Sequence, residues 1–168
     1  MQPIQVLNAS SPDVFADGVK PLFETAPPLA RALYAARPYA SYAVLIDTAE
    51  SLTRSMPLEE QVAVLSAHPR IGASPATLSA ASSREQASSA ESGMDPDELR
   101  TLYTELADLN DAYEQRFGFR FVVFVNGRSK SEIVGVLRAR LERTRDAELE
   151  TGLRDMFLIA RARLATTA

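Results

Sequence analysis

"FRFVVFV", residues 119–125, is the stretch on which the fold class turns. Six of its seven residues are aromatic or valine, the composition of a strand. A strand needs a partner for its backbone N–H and C=O groups, and no second run of this kind exists elsewhere in the chain. The segment is therefore expected as an extended, buried piece of chain entering a core built by helices. The signals on either side agree. Downstream, Asn126-Gly127 turns the chain, and Ser129 with Glu132 caps a helix carrying Ile133, Val136, Leu137 and Leu141. Upstream, Asp95-Pro96-Asp97-Glu98 has the pattern of a capping box with proline at the first helical position. Leu99, Leu102, Tyr103, Leu106, Leu109 and Tyr113 follow on one face, and Gly118 is a natural stop.

Working outward, helix signals recur. Ser11-Pro12-Asp13 opens a segment that Gly18 and Pro21 are expected to disturb. "PPLARALYAARP", residues 27–38, is a short alanine-rich helix between prolines. Tyr42, Leu45, Ile46, Ala49, Leu52 and Met56 line one face of a longer one. Pro57 opens another, with Leu58, Val62 and Leu65 on its stripe; it should end at or just before His68, because Pro69 pushes its predecessor out of the helical region. "GASPATLSAASS", residues 72–83, reads as a surface loop inside the domain. Leu149, Leu153, Met156, Phe157, Ala160 and Leu164 mark a last helix. The start and stop signals sum to an all-α, single-domain bundle of about seven or eight helices spanning residues 1–168.

Composition narrows the function. With 46% hydrophobic residues, 168 residues can close one core. A net charge of -4 without long runs of either sign argues against nucleic acid and acidic membranes as partners. There is no cysteine and one histidine, so disulfides are excluded, no metal site is expected, and neither is a transition-metal cofactor. The N-terminus lacks the features of a signal peptide, and "YAVLI" and "FVVFV" are too short to span a bilayer, so a soluble, cytoplasmic protein is expected. Nucleophile motifs and glycine-rich phosphate loops are missing, which removes covalent and nucleotide chemistry.

Three short stretches carry candidate chemistry. In "LSAHPRIGA", residues 65–73, the sole histidine follows a helix end, whose carbonyls favour a cationic imidazole and hold it near the pH at which it both gives and takes a proton. His68 there is either a packed side chain with one hydrogen bond or a general acid or base. In "SSREQ", residues 82–86, Ser82 and Glu85 have capping-box spacing, while Glu85 beside Gln86 pairs an acceptor with an amide able to read a ureido or imide edge. In "RFGFRFVVFV", residues 116–125, the extended backbone either satisfies itself against neighbouring helices or offers its amides and carbonyls to a ligand. Arg143, Arg145, Arg154, Arg161 and Arg163 stand at helical spacing among acids and read as solvated faces.

Taken in order, "AHPRIG", "SSREQ", "NDAY" at 110–113 and "RFGFRFVVFVNGRS" resemble the OHCU decarboxylase family, from about Ser41 through "RLERTRDAELE" to the final helix. The resemblance implies an all-α, cofactor-free homodimer. Its substrate would be the small molecule 2-oxo-4-hydroxy-4-carboxy-5-ureidoimidazoline, decarboxylated to S-allantoin in urate degradation. By position it makes His68 and Glu85 catalytic. Pro69, Ser82, Ser83, Arg84, Glu85, Gln86, Phe121, Val122, Val123, Phe124 and Val125 would bind substrate. Two features depart from the family pattern: Arg120 stands where many members have proline, and the loop between His68 and Ser82 is shorter than in animal relatives. The C-terminal "ATTA" is not a peroxisomal address, which suits a cytoplasmic enzyme. Competing readings are a metal-free hydrolase opening a hydantoin-like ring and a non-catalytic helical interaction module.

Overall fold

Proline and serine punctuate the chain into helices, and the structure, a computed structural model, follows that punctuation. It describes residues 1–24, 26–73, 79–86, 91 and 93–167, with the side chains at 80, 81, 85 and 167 outside the description. Nine helices occur among the described residues: α1 Ile4–Asn8, α2 Pro12–Phe23, α3 Pro27–Ala35, α4 Tyr42–Ser55, α5 Leu58–Ser66, α6 Ala80–Gln86, α7 Pro96–Phe117, α8 Lys130–Leu141 and α9 Arg145–Thr167. The count exceeds the expected one because α1 and α6 run only 5 and 7 residues. No strand occurs among the described residues, as the unpaired FRFVVFV run implies.

The capping chemistry is local and specific. Ser129 and Glu132 form a reciprocal capping box at α8, and Gly118 ends α7 with φ 78°. Asp95 caps α7 by accepting from Asp97 N–H at 2.8 Å. Other expectations fail for identifiable reasons. Helix α2 runs unbroken through Gly18 and Pro21. Its buried face of Phe15, Val19, Leu22 and Phe23 outweighs the hydrogen bond that proline removes. Gly18 gives α1 room to cross: a Cβ would lie 2.6 Å from Leu7 Cδ1, which would have to shift. On α5 the buried residues are Val64 and Leu65, whereas Leu58 is exposed.

Helix α9 organises the bundle, packing against α2, α4 and α5, while α7 pairs with α8. The core runs continuously from Leu7, Phe15 and Leu33 to Tyr113, Phe121 and Phe157. Tyr113 is its aromatic hub, meeting Phe117, Phe119 and Phe121 edge-to-face at 4.6, 6.0 and 5.2 Å. The extended segment 119–125 is thus nailed into the core by its phenylalanines, and it passes beside the C-terminal end of α5.

Candidate functional site

Helix α5 ends at Ser66, as the His-Pro pair dictates, and His68 N–H closes the last turn on Leu65 O at 3.2 Å. The loop that follows is held on two sides. Gln86 on α6 accepts from Gly72 N–H at 2.8 Å and donates to Arg70 O at 3.2 Å, so its amide imitates a peptide group. Asn110 on α7 donates to Ile71 O at 3.2 Å. Outside the pocket wall, Arg120 Nη1 donates to His68 O at 3.2 Å. Its Nε lies 2.8 Å from Glu114 as an ion pair off the N–H axis. Arg120 thus braces the histidine's own backbone.

His68 itself is 3% exposed, and neither ring nitrogen has a hydrogen-bond partner among the described residues. A buried imidazole with both nitrogens unsatisfied is expensive unless something else uses them. The ring lines a cavity of about 680 Å³. Burial first, then the Arg163 charge, push its pKa down to about 4, with Glu24 opposing and Arg120 adding to the fall. The expectation of a helix terminus holding it near neutrality is therefore overturned. Desolvation by burial dominates.

The cavity brings together most of the side chains singled out in the sequence: His68, Pro69, Ser82, Arg84, Gln86 and the run from Phe121 to Val125. Ser83 is partly buried on α6 but does not line it. The Glu85 side chain lies outside the described residues, so its relation to His68 does too. Ser82 is not a cap: it sits inside α6, where Ser79 Oγ accepts from Ser82 N–H at 3.1 Å. Its hydroxyl is released for another use and donates to Glu24 Oε1 at 2.8 Å.

The extended wall is held in part by side chains. In extended backbone the N–H and C=O of one residue point to one side and those of the next to the other. Val122 O accepts from Arg140 Nη1 at 2.8 Å, Phe124 N–H reaches Asp155 Oδ2 at 3.4 Å, and Phe124 O accepts from Arg128. Val122 O and both groups of Phe124 are thus taken up by side chains, and Val125 O accepts from Arg128 as well. The N–H and C=O of Val123 have no partner among the described residues.

Several lining residues escaped the sequence reading: Ile71, Asn126, Gly127, Ile159, Ala162, Arg163 and Thr166. Arg163 is the important one. Expected on a solvated face, it is 5% exposed, because it continues the buried stripe of Met156, Ile159 and Ala160 by helical spacing of seven, four and three. That periodicity is the signal that could have found it. Its Nη2 lies 2.9 Å from Glu24 and donates to Ser82 Oγ at 3.1 Å, while Nη1 reaches the carbonyls of Pro21 and Leu22 at 3.4 Å each, in the last turn of α2.

A family model described as OHCU decarboxylase matches residues 8–165. The chain belongs to the OHCU decarboxylase family. Among curated OHCU relatives, the uric acid degradation bifunctional protein PucL of Bacillus subtilis is 33% identical over 95% of this chain and 31% of that protein, so the chain spans under a third of it. The 2-oxo-4-hydroxy-4-carboxy-5-ureidoimidazoline decarboxylase of Halalkalicoccus jeotgali is 28% identical over 96% of this chain and 89% of that protein. A crystal structure of an OHCU decarboxylase in the presence of (S)-allantoin superposes with TM-score 0.68 at 24% identity, covering 90% of this chain and 96% of that one, which establishes the shared fold. As for other partners, no helix among the described residues of this OHCU-family chain is long and apolar enough to cross a membrane.

Proposed function

We infer that the chain is a carboxy-lyase that decarboxylates 2-oxo-4-hydroxy-4-carboxy-5-ureidoimidazoline to S-allantoin in urate degradation, with His68 as its acid–base group. Family membership supports the reaction. The observation that carries the assignment of His68 is a buried ring lining the cavity with both nitrogens unsatisfied by the described residues.

The reaction needs little from the protein. The bond between C4 and the carboxyl carbon breaks, and its electron pair flows through C5 into the ring imine nitrogen, which takes a proton from solvent. The resulting enol then shifts its hydroxyl proton to C5, leaving the C4 carbonyl of allantoin. The substrate supplies the electron sink, so proton movement and orientation remain. A neutral imidazole suits the second step: it accepts the enol proton and returns it to one face of C5. The bound substrate carboxylate raises the histidine's affinity for a proton while the anion is present. The apolar wall of Phe121, Val123, Ile159 and Ala162 favours leaving as neutral carbon dioxide over remaining as carboxylate.

The ring and ureido groups are polar on their edges, and the site offers matching groups. Gln86 retains a second amide hydrogen, Val123 its N–H and C=O, and Ser82, Arg84 and Arg163 line the same cavity with Pro69. Val122, Phe124 and Val125 complete the wall, and Glu85 orients His68 or accepts from the ureido group; Ser83, expected to bind substrate, stays outside the lining. The resemblance also implies a homodimer, which sedimentation of the purified chain would test.

The decisive test uses the freshly generated intermediate of urate oxidation, with formation of S-allantoin followed by circular dichroism. His68→Asn is expected to leave only the spontaneous rate. Wild-type turnover in that variant removes the assignment.

A further inference from the structure

Glu24 stands immediately after α2 with φ 58° and ψ -161°, a backbone conformation that glycine adopts freely and other residues rarely. A side chain retained at a strained position serves something the strain permits. Here the carboxylate is 12% exposed and a single oxygen, Oε1, gathers three groups: Ser79 Oγ at 3.0 Å, Ser82 Oγ at 2.8 Å and Arg163 Nη2 at 2.9 Å. Two of those three partners line the cavity beside His68, and Glu24 does not.

We propose that Glu24 is a positioning residue of the site: from behind the cavity wall its carboxylate sets the places of Arg163 and Ser82, joining the end of α2 to α6 and α9. The proposal rests on the decarboxylase reading above for what Arg163 and Ser82 do. The geometry follows from chemistry. Arg163 enters a low-dielectric wall and needs an anion; Ser82, freed from capping, needs an acceptor; one carboxylate oxygen serves both. Burial alone would raise the Glu24 carboxyl's pKa, yet Arg163 and the two hydroxyls hold it below the usual carboxylate range, so it is ionised whenever the enzyme works. The described charged groups that act on His68 are then Arg163, Glu24 and Arg120, two cations and one anion.

Two substitutions test this. Glu24→Gln keeps size and hydrogen bonding and removes the charge; Glu24→Asp keeps the charge and withdraws it by one methylene. Each is measured for kcat and KM of S-allantoin formation, for thermal melting, and for the titration of His68 by proton NMR, where the sole histidine gives the only imidazole signals. For Glu24→Gln, kcat/KM falls on the order of 10- to 100-fold, as for a misplaced reacting group, and the His68 midpoint moves below its wild-type value because Arg163 loses its counter-charge. For Glu24→Asp, kcat/KM also falls while the His68 midpoint stays. Wild-type kcat/KM in a folded Glu24→Gln chain overturns the proposal, as does a loss matched by melting alone with an unmoved His68 titration. Should Glu24→Gln not fold, Glu24→Asp decides by the same kinetic criterion. A wild-type chain that makes no allantoin defeats the decarboxylase reading instead, and the His68 titration still reports whether Glu24 is coupled to the site.

Discussion

His68, the proposed acid–base group, is a liability to the fold, because its ring is buried without protein hydrogen bonds among the described residues. Its pKa of about 4 lies below the 6.5 of an ordinary histidine. Between those values the unfolded chain binds a proton that the folded chain refuses. The stability associated with the neutral ring is therefore complete above about pH 6.5, declines as pH falls through the interval, and changes no further on this account below about 4. The linked loss is roughly 3 kcal/mol across the window. Denaturant melts of wild type and His68→Asn at pH 7 and 4.5 isolate it, since the carboxylates common to both cancel. Wild type should lose more stability than the variant, and equal losses would mean that the ring is solvated. The same burial was illegible in the sequence. "AHPRIG" shows a helix end and a proton carrier, whereas desolvation and the charge of Arg163, 95 positions away, are supplied by the tertiary fold.

At the scale of elements, the extended wall stays extended because α8 and α9 present charges to its back. Arg140 donates to Val122 O and pairs with Glu148 at 2.6 Å, and Asp155 takes Phe124 N–H; Tyr113 completes the cluster with a 2.6 Å bond to Glu148. Charges this deeply buried stabilise little as pairs but are costly to break. Arg140→Met should destabilise the chain by about 3–5 kcal/mol, because Glu148, with no exposed surface, loses its buried cation and keeps only the exposed Arg143 at 2.9 Å. Adding Glu148→Leu should recover most of that in urea melts. No recovery would mean that Arg140 acts through Val122 alone. Asp155→Asn is milder, with an expected loss of about 1–3 kcal/mol and a lower enantiomeric excess of S-allantoin, read by circular dichroism of the product. These roles explain what could be read in advance. The isolation of 119–125, the Ser129 cap and the Gly118 stop are written within a few residues and are legible. The Ser82–Glu85 spacing misleads, because Ser79 three residues earlier takes the capping role and Glu24, far away in sequence, takes the Ser82 hydroxyl.

For the whole molecule, the proposed site depends on how closely α5 can approach α9, since His68 follows the end of α5 and α9 carries Arg163. Gly152 sets that approach: a Cβ there would lie 2.9 Å from Leu65 Cδ2 and 3.2 Å from Cδ1. Leu65 has no exposed surface, so its methyls would have to shift within the core. Gly135 on α8 offers the contrast, with nothing within 4 Å of an added Cβ. On helix propensity alone both substitutions by alanine should stabilise by up to about 1 kcal/mol. Packing separates them. Gly135→Ala should raise the melting temperature and leave turnover unchanged. Gly152→Ala should lose about 1–3 kcal/mol to overpacking and, by shifting the end of α5, lower kcat/KM by more than its melting predicts. Equal stabilisation by the two alanines would mean that Leu65 repacks freely, and that the distance between the histidine and the arginine is not set by this helix pair.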